Sequence, residues 1–367
     1  MGEIMKFQIT HNDSKHRARL GMLEVNGKYI VTPTLFLGHV LNLRPRTWEF
    51  LNQSSMMLNA YRILKQPLVT KKVMKGIHQY LNFDGIILMD SGGYSFQKKP
   101  DIDLNPMRLV DLYEKSKPDI GVVLDHPFDF TKPPSVNDKR WETTLENTSI
   151  MYDAISKIEL MPVVHGHDLG SVRIACEEIK RICDPKIVGL GGIATFAIMG
   201  SSRYPNNMNF VMQSLGILRE EFPDTMIHGF GIGSASSMNL MFTGGFDSID
   251  SMGYRLKAGF GRIQLSGVPD RFVKHSTAGR RCLDEDEKLI LNECSCPTCD
   301  GLSLDEQMDI LHNDYKARCI HNANLFLDEE WKFKTYLDHD SLDRYVDDVL
   351  SKGIYEKVYN YIRGEIE

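Results

Sequence analysis

From residue 33 onward, short apolar or β-branched runs recur along the chain, each closing on a glycine or polar residue and each followed by text of helical periodicity. They are TLFLG at 34–38, SMMLNA at 55–60, GIILMD ending at Asp90, IGVVLD ending at Asp125, LMPVVHG ending near Gly166, KIVGLGG ending near Gly192, MIHGFG ending near Gly231, and FDSID ending at Asp250. Helical text such as GSVRIACEEIKRI at 170–182 lies between them. Strand and helix alternating in this way is the sequence form of repeated βα units, and near-continuous apolar strands suit a parallel sheet covered on its outer face. Eight such units predict an α/β chain with a closed (β/α)8 TIM barrel. An open doubly wound sheet is the rival, but neither GLGG at 189–192 nor GFGIG at 229–233 matches the GxGxxG loop of that architecture.

Ahead of the barrel, Asn26-Gly27 separates two apolar runs, a strong β-hairpin signal. After residue 275 the pattern breaks into a cysteine cluster and then helical text. The expected organisation is an N-terminal hairpin over 1–32 capping the barrel, a catalytic barrel over 33–275, a zinc-binding subdomain over 276–325, and C-terminal helices over 326–367 packed on the barrel. In such a barrel active groups sit at the C-terminal strand ends, which places Asp90, Asp125, His165, Gly191 and Asp250 on one rim.

Composition narrows the class. The chain has 367 residues, 42% hydrophobic and 25% charged, enough to bury a large core. It has no run of 18 apolar residues and no basic-then-apolar opening, which predicts a cytoplasmic protein with no membrane partner. A net charge of -6 argues against general coating of nucleic acid but allows a local basic groove. Of the 7 cysteines, Cys294, Cys296 and Cys299 stand close enough to share one ion. His321 is the chosen fourth ligand, with His312 and Cys319 as competitors. Three sulfurs and one nitrogen predict structural Zn2+ with no open position, so catalysis belongs elsewhere. Cys176, Cys183 and Cys282 read as small apolar residues.

Asp90 in MDSGGYSFQ and Asp250 in FDSIDSMGYR offer the two carboxylates that glycosyl transfer needs, one to capture a sugar cation and one to manage protons. Asp247 is a rival to Asp250. Its offset of three places it on the opposite strand face, so only one of the two faces the barrel mouth. Ser91 and Ser234 read as turn formers.

Asp90-Ser91-Gly92-Gly93-Tyr94 resembles the DSGG(F/Y) signature of the queuine and archaeosine tRNA-guanine transglycosylases, and the three cysteines with the later His321-Asn322 resemble their zinc site. MMLNAY at 56–61, LDHPFDF at 124–130, VVHG at 163–166, LGGIA at 190–194, HGFGIGS at 228–234 and GGFDSID at 244–250 follow the family's motifs in order, over roughly residues 7 to 325. The resemblance implies Asp250 as the nucleophile on the ribosyl C1′ and Asp90 as the general acid or base. It also implies Tyr94 stacking on the base, Asp125 bonding its pyrimidine edge, the backbone at Gly191 and Gly192 binding its carbonyl, and Asn59 and His165 lining the same slot. Family members are often dimers.

Departures from the family pattern carry further expectations. The bacterial queuine enzymes have a glutamine where His165 stands, another at Ser95, and a glutamate where this chain has Thr195-Phe196-Ala197. Without that glutamate, a buried aminomethyl cation would lack a partner, which favours 7-cyano-7-deazaguanine as the free base. After Asp250 the text Ser251-Met252-Gly253-Tyr254-Arg255 resembles the loop of DNA-guanine transglycosylases. DNA is therefore the preferred polymer and tRNA the alternative, with Tyr254, Arg255, Lys257 and Arg262 as nucleic-acid contacts. Arg271, Lys274, Arg280 and Arg281 extend that basic stretch. Extruding a guanine costs a few kcal/mol in duplex, which a strand-opening partner protein would lower. A non-catalytic nucleic-acid-binding subunit and an unrelated barrel hydrolase are the rival functions.

Overall fold

The computed structural model describes residues 4–95, 104–129, 131–192, 207–231, 234–274, 281–351 and 355–364. Strands β1 (Met5–Asn12), β2 (Arg19–Val25) and β3 (Lys28–Thr32) form an antiparallel sheet in that order. Asn26 and Gly27 both have positive φ, 51° and 74°, the geometry of a two-residue turn that matches strand twist, and Val25 pairs with Lys28 across it. The expected hairpin is thus β2–β3, and it carries an additional strand. β1 runs beside β2 from Met5↔Val25 to Asn12↔Arg19. Its polar-rich text, MKFQITHN, buries only Met5 outright, so its hydrophobic signal is faint.

The barrel strands are β4 (Thr34–Gly38), β5 (Ser55–Asn59), β6 (Ile86–Asp90), β7 (Ile120–Val122), β8 (Glu159–Met161), β9 (Val163–Val164), β10 (Ile187–Leu190), β11 (Met226–Gly229) and β12 (Ser248–Ser251). All pairings among them are parallel, and β12 returns to pair with β4. β8 and β9 are two halves of one strand broken at Pro162, which has no N–H to give a ladder. The backbone bridges the break: Val123 donates to Met161 O at 3.1 Å on one side, and Gly189 donates to Pro162 O at 2.9 Å on the other. The eight predicted strands therefore form a (β/α)8 barrel in chain order. Their burial is nearly continuous, as in TLFLG, because helices cover the outer face. Ser234 starts the helix Ala235–Gly244 through a reciprocal bond with Ser237, consistent with its reading as a turn former.

Two buried ion clusters fasten the N-terminal sheet to the barrel's lower end. Arg19 of β2 donates to Asp247 from Nε at 2.7 Å and from Nη2 at 3.0 Å, and Arg219 adds a bond at 3.0 Å. Lys28 of β3 pairs with Asp119 at 2.8 Å, and His78 lies 3.0 Å from the same carboxylate. Burial would raise both carboxyls, but Arg219 and Arg19 hold Asp247, and His78 and Lys28 hold Asp119, below the ordinary value. Asp247 therefore belongs to the scaffold, at the end of β12 opposite Asp250.

Beyond the barrel, β13 (Arg262–Leu265) and β14 (Val268–Phe272) form a hairpin that packs Ile263 against Leu291 and Leu311 near the cysteine cluster. The helix Tyr315–Asp338 starts there, and its Phe326 and Phe333 join the main core. No helix among the described residues is long and apolar enough to cross a membrane.

Replacing Asp247 by alanine strands two arginines in the interior, so denaturant unfolding should show a loss of about 3–5 kcal/mol. An unchanged midpoint contradicts the clamp.

Candidate active site

β5 and β6 pair with Asn59 opposite Asp90, both at the C-terminal ends of their strands. Asn59 Nδ2 donates to Asp90 Oδ2 at 2.9 Å, while its Oδ1 accepts from the backbone N–H of Arg62 and caps the helix Ala60–Leu64. Asp125, beyond the end of β7, is buried. Its Oδ1 accepts from Ser91 Oγ at 3.0 Å, and its Oδ2 lies 3.0 Å from His165 Nε2. The turn from β6 must close tightly over this carboxylate. A Cβ at Gly93 would stand 2.2 Å from Asp125 Oδ1, and Gly92 has φ +98°, so each position requires glycine. Ser91 thus serves Asp125 directly as well as the turn. Tyr94 follows on the rim, 53% exposed. His165 stacks on Phe128 with centroids 5.6 Å apart, and a Cβ at Gly191 would meet its Cε1 at 2.2 Å, so the Gly191-Gly192 backbone closes on the imidazole.

Asp250 ends β12 on the same rim and is buried. Its Oδ1 accepts from Gly231 N at 2.8 Å, and His228 Nε2 stands 3.5 Å from that oxygen. His228 is fully buried; its Nδ1 pairs with Ser248 Oγ at 2.8 Å and its Nε2 has no hydrogen-bond partner. The sequence reading passed over His228 because it lies inside an apolar run. Its position one residue before the strand's closing glycine, in register with Ser248, was the available signal.

Asp90 reports how closely these groups converge. Burial, then the charges of Asp125 and Asp250, push its carboxyl from 3.8 up to about 7, against bonds from Gly92 and Asn59. At neutral pH it exchanges a proton readily beside a second carboxylate, which is what acid-base work at a glycosidic bond requires. The mouth brings together Asn59, Asp90, Asp125, His165 and Asp250, with Tyr94 at its edge.

Below the rim, Cys294, Cys296, Cys299 and His321 offer ligand atoms within 4.8 Å of one another, a group that can hold a metal ion. The three sulfurs lie 3.5, 3.7 and 3.6 Å from His321 Nδ1, close to the ~3.6 Å edge of a tetrahedron built with ordinary zinc–sulfur and zinc–nitrogen bond lengths. His321 Nε2 bonds Gln264 O at 3.0 Å, which fixes the ring with Nδ1 toward the thiols. Neighbouring Asn322 donates to Tyr254 O and Arg262 O, so the cluster also holds the segment after Asp250.

The family described as queuine tRNA-ribosyltransferase (TGT) matches residues 13–353. The chain belongs to that family. Among TGT relatives, a tRNA-guanine(15) transglycosylase of Pyrococcus abyssi is 28% identical over 357 residues, covering 94% of this chain and 56% of the relative. That of Pyrococcus furiosus is 27% identical over 353 residues with the same coverage, and that of Methanocaldococcus jannaschii is 28% identical over 342 residues, covering 88% and 48%. The chain spans about half the length of the curated relatives it matches.

Within this TGT frame, the expected nucleic-acid contacts after Asp250 need correction. Tyr254 is fully buried and donates to Gly38 O at 2.9 Å. Arg255 is buried and donates to Arg44 O, Pro45 O and Tyr315 Oη. Both tie the helix Gly253–Gly259 to the loop after β4 instead of facing a ligand. Lys257 and Arg262 share Asp270 at 3.2 and 2.8 Å, buried Arg271 pairs with Glu287, and Lys274 and Arg281 also meet carboxylates. Arg280 and Thr195-Phe196-Ala197 lie outside the described residues.

The raised Asp90 carboxyl has a pH consequence. Between 3.8 and about 7 the folded state binds more protons here than the unfolded chain, so this group lowers stability as pH rises through that window. Asp90→Asn, whose amide oxygen still accepts from Asn59, should melt higher than the parent at pH 8 and level with it below pH 4. An equal difference at both pH values contradicts the shift. Metal analysis should find one equivalent of metal per chain, lost with a lowered melting point in Cys299→Ser; a metal-free parent of unchanged stability contradicts the cluster's role.

Proposed function

We propose that this TGT-family chain is a pentosyltransferase that replaces a guanine in a polynucleotide by a 7-deazaguanine. One observation carries the reading: Asp90 and Asp250 share the barrel mouth closely enough for one charge to raise the other's carboxyl. An Asp250 oxygen bonds C1′ of the target nucleotide as the bond from C1′ to guanine N9 breaks, and the Asp90 proton goes to the departing guanine. The incoming base then attacks C1′ through its own N9, its proton returns to Asp90, and the ester to Asp250 breaks. Two displacements preserve the configuration at C1′. Gly231 N–H donates to Oδ1 of Asp250 and His228 Nε2 stands 3.5 Å from the same oxygen, which leaves Oδ2 for the sugar.

Asp125 takes the pyrimidine edge of the base and Tyr94 stacks on it. With His165 Nε2–H donating to Asp125, its partnerless buried Nδ1 is an acceptor beside Gly191. The free base is 7-cyano-7-deazaguanine, in line with Thr195-Phe196-Ala197 where a glutamate would pair with an aminomethyl group. The metal is structural zinc, as three thiolates and one imidazole suggest. The setting is the cytoplasm.

The relatives' names support tRNA as the polymer. The serine-aromatic-arginine spelling after Asp250 supports DNA as the second reading, with Tyr254 and Arg255 turned inward and Arg262 still exposed. In either polymer the guanine must leave its stack to reach the slot.

Labelled 7-cyano-7-deazaguanine, supplied with unmodified tRNA and plasmid DNA together, should enter one polymer with release of guanine. Asp250→Asn should lower that rate by at least about 10³-fold while keeping the fold. Label entering neither polymer rejects the proposal, and label entering DNA alone rejects tRNA.

A further inference from the structure

Residues 50–83 contain no aspartate or glutamate, in a chain with 49 acidic residues and a net charge of -6. Within that stretch Arg62, Lys65, Lys71, Lys72 and Lys75 are all exposed, and among the described residues none of them forms an ion pair. They lie on and just after the helices Ala60–Leu64 and Pro67–Val73, which follow β5 at the mouth end of the barrel. Helix ends account for part of this. Lys71 and Lys72 occupy a last turn, where cations are favourable. Arg62 likewise occupies the last turn of its helix and Lys65 caps its C-terminus, which leaves Lys75 and the missing acids unexplained. An uncompensated cluster repels itself, and among the described residues no carboxylate pairs with any of the five.

The strip is also joined to the reacting groups. Asn59 caps its first helix through Arg62 N and, with the other end of the same amide, holds Asp90. Lys65 Nζ lies 4.5 Å over the ring of Tyr61, whose Cβ is what a side chain at Gly92 would strike. A backbone lying on these helices would thus run directly into the mouth. Of the described cations after Asp250, by contrast, Arg255, Lys257 and Arg271 are turned to internal partners, and exposed Arg262, Lys274 and Arg281 each pair with a carboxylate.

We infer that this strip of exposed cations grips the sugar–phosphate backbone of the polynucleotide whose guanine enters the barrel. The inference rests on the transglycosylase reading and adds where the polymer lies. Charge complementarity names the occupant: a polyanion following a strip of exposed, unpaired cations. Mobile cations on short helices suit phosphate contacts, which set register without reading sequence.

The test is fluorescence anisotropy of the full chain with a labelled unmodified tRNA transcript and with a labelled DNA duplex, across a salt series. The variant Lys71→Gln/Lys72→Gln/Lys75→Gln changes only exposed side chains, and circular dichroism checks its fold. It should bind the recognised polymer about tenfold or more weakly near 0.1 M salt, with the slope of log K against log salt reduced by roughly 2 to 3. Its guanine exchange should show a raised KM with kcat retained. A parallel variant, Arg262→Gln/Lys274→Gln/Arg281→Gln, should bind within about twofold of the parent. Wild-type binding with an unaltered lysine variant overturns the inference and leaves the transglycosylase reading standing, as does a loss confined to the parallel variant. Failure of the wild type to bind either polymer removes both.

Discussion

Three carboxyl groups, Asp90, Asp125 and Asp250, meet at the dry end of one barrel, and their mutual repulsion is the constraint around which the mouth is arranged. Burial and like charge both oppose ionisation there. Each group is met by a different device: a side-chain amide for Asp90, a serine and an imidazole for Asp125, a backbone N–H and a second imidazole for Asp250. The unequal support separates the roles. Asp90, with burial and two neighbouring charges against it, is left able to carry a proton near neutrality, while Asp250 accepts a backbone N–H on one oxygen with the His228 ring standing 3.5 Å from the same atom. One mouth thereby holds a group suited to proton transfer beside a group suited to bonding carbon.

That arrangement depends on the opposite end of the barrel being rigid. Asp247 and Asp119, each just ahead of a strand, are held by Arg19 and Lys28 from the N-terminal sheet, so the strands that deliver Asp250 and Asp125 are anchored at their starts. The direction of β12 turns a sequence offset of three into opposite ends of one barrel strand: Asp247 is a clamp and Asp250 faces the slot. The cysteine-histidine cluster extends the same logic outward. Asn322, next to a ligand, bonds the backbone of Tyr254 and Arg262, so the segment leaving Asp250 is positioned from the metal site.

Much of this was legible along the chain, for physical reasons. Barrel strands buried on both faces read as apolar runs, and a polar residue at the end of such a run has little place to be except the rim; Asp90 and Asp250 followed from that. His321, chosen along the chain over His312 and Cys319 as the companion of the three cysteines, is the one of the three that the fold brings within reach. β1 alternates apolar and polar from Met5 to Thr10 but buries one residue in eight outright, and the short run at the chain's start was passed over beside the stronger Asn26-Gly27 turn. Pro162 hid a split in one strand, and His228 was concealed by the apolar residues around it. The largest error concerned cations. Composition says that Arg255 and Lys71 carry the same charge, but not that the first is turned into a nest of carbonyls and the second into solvent. Direction is a tertiary property that charge along the chain does not show.

The central claim is a covalent bond between this chain and a sugar. It is tested most directly by incubating the protein with its polynucleotide, denaturing the mixture, digesting both polymers and locating the nucleotide-bearing peptide by mass spectrometry. The account predicts a ribosyl adduct on Asp250 and on no other residue. An adduct at Asp90, or base exchange proceeding at full rate with no protein-linked sugar, would contradict it.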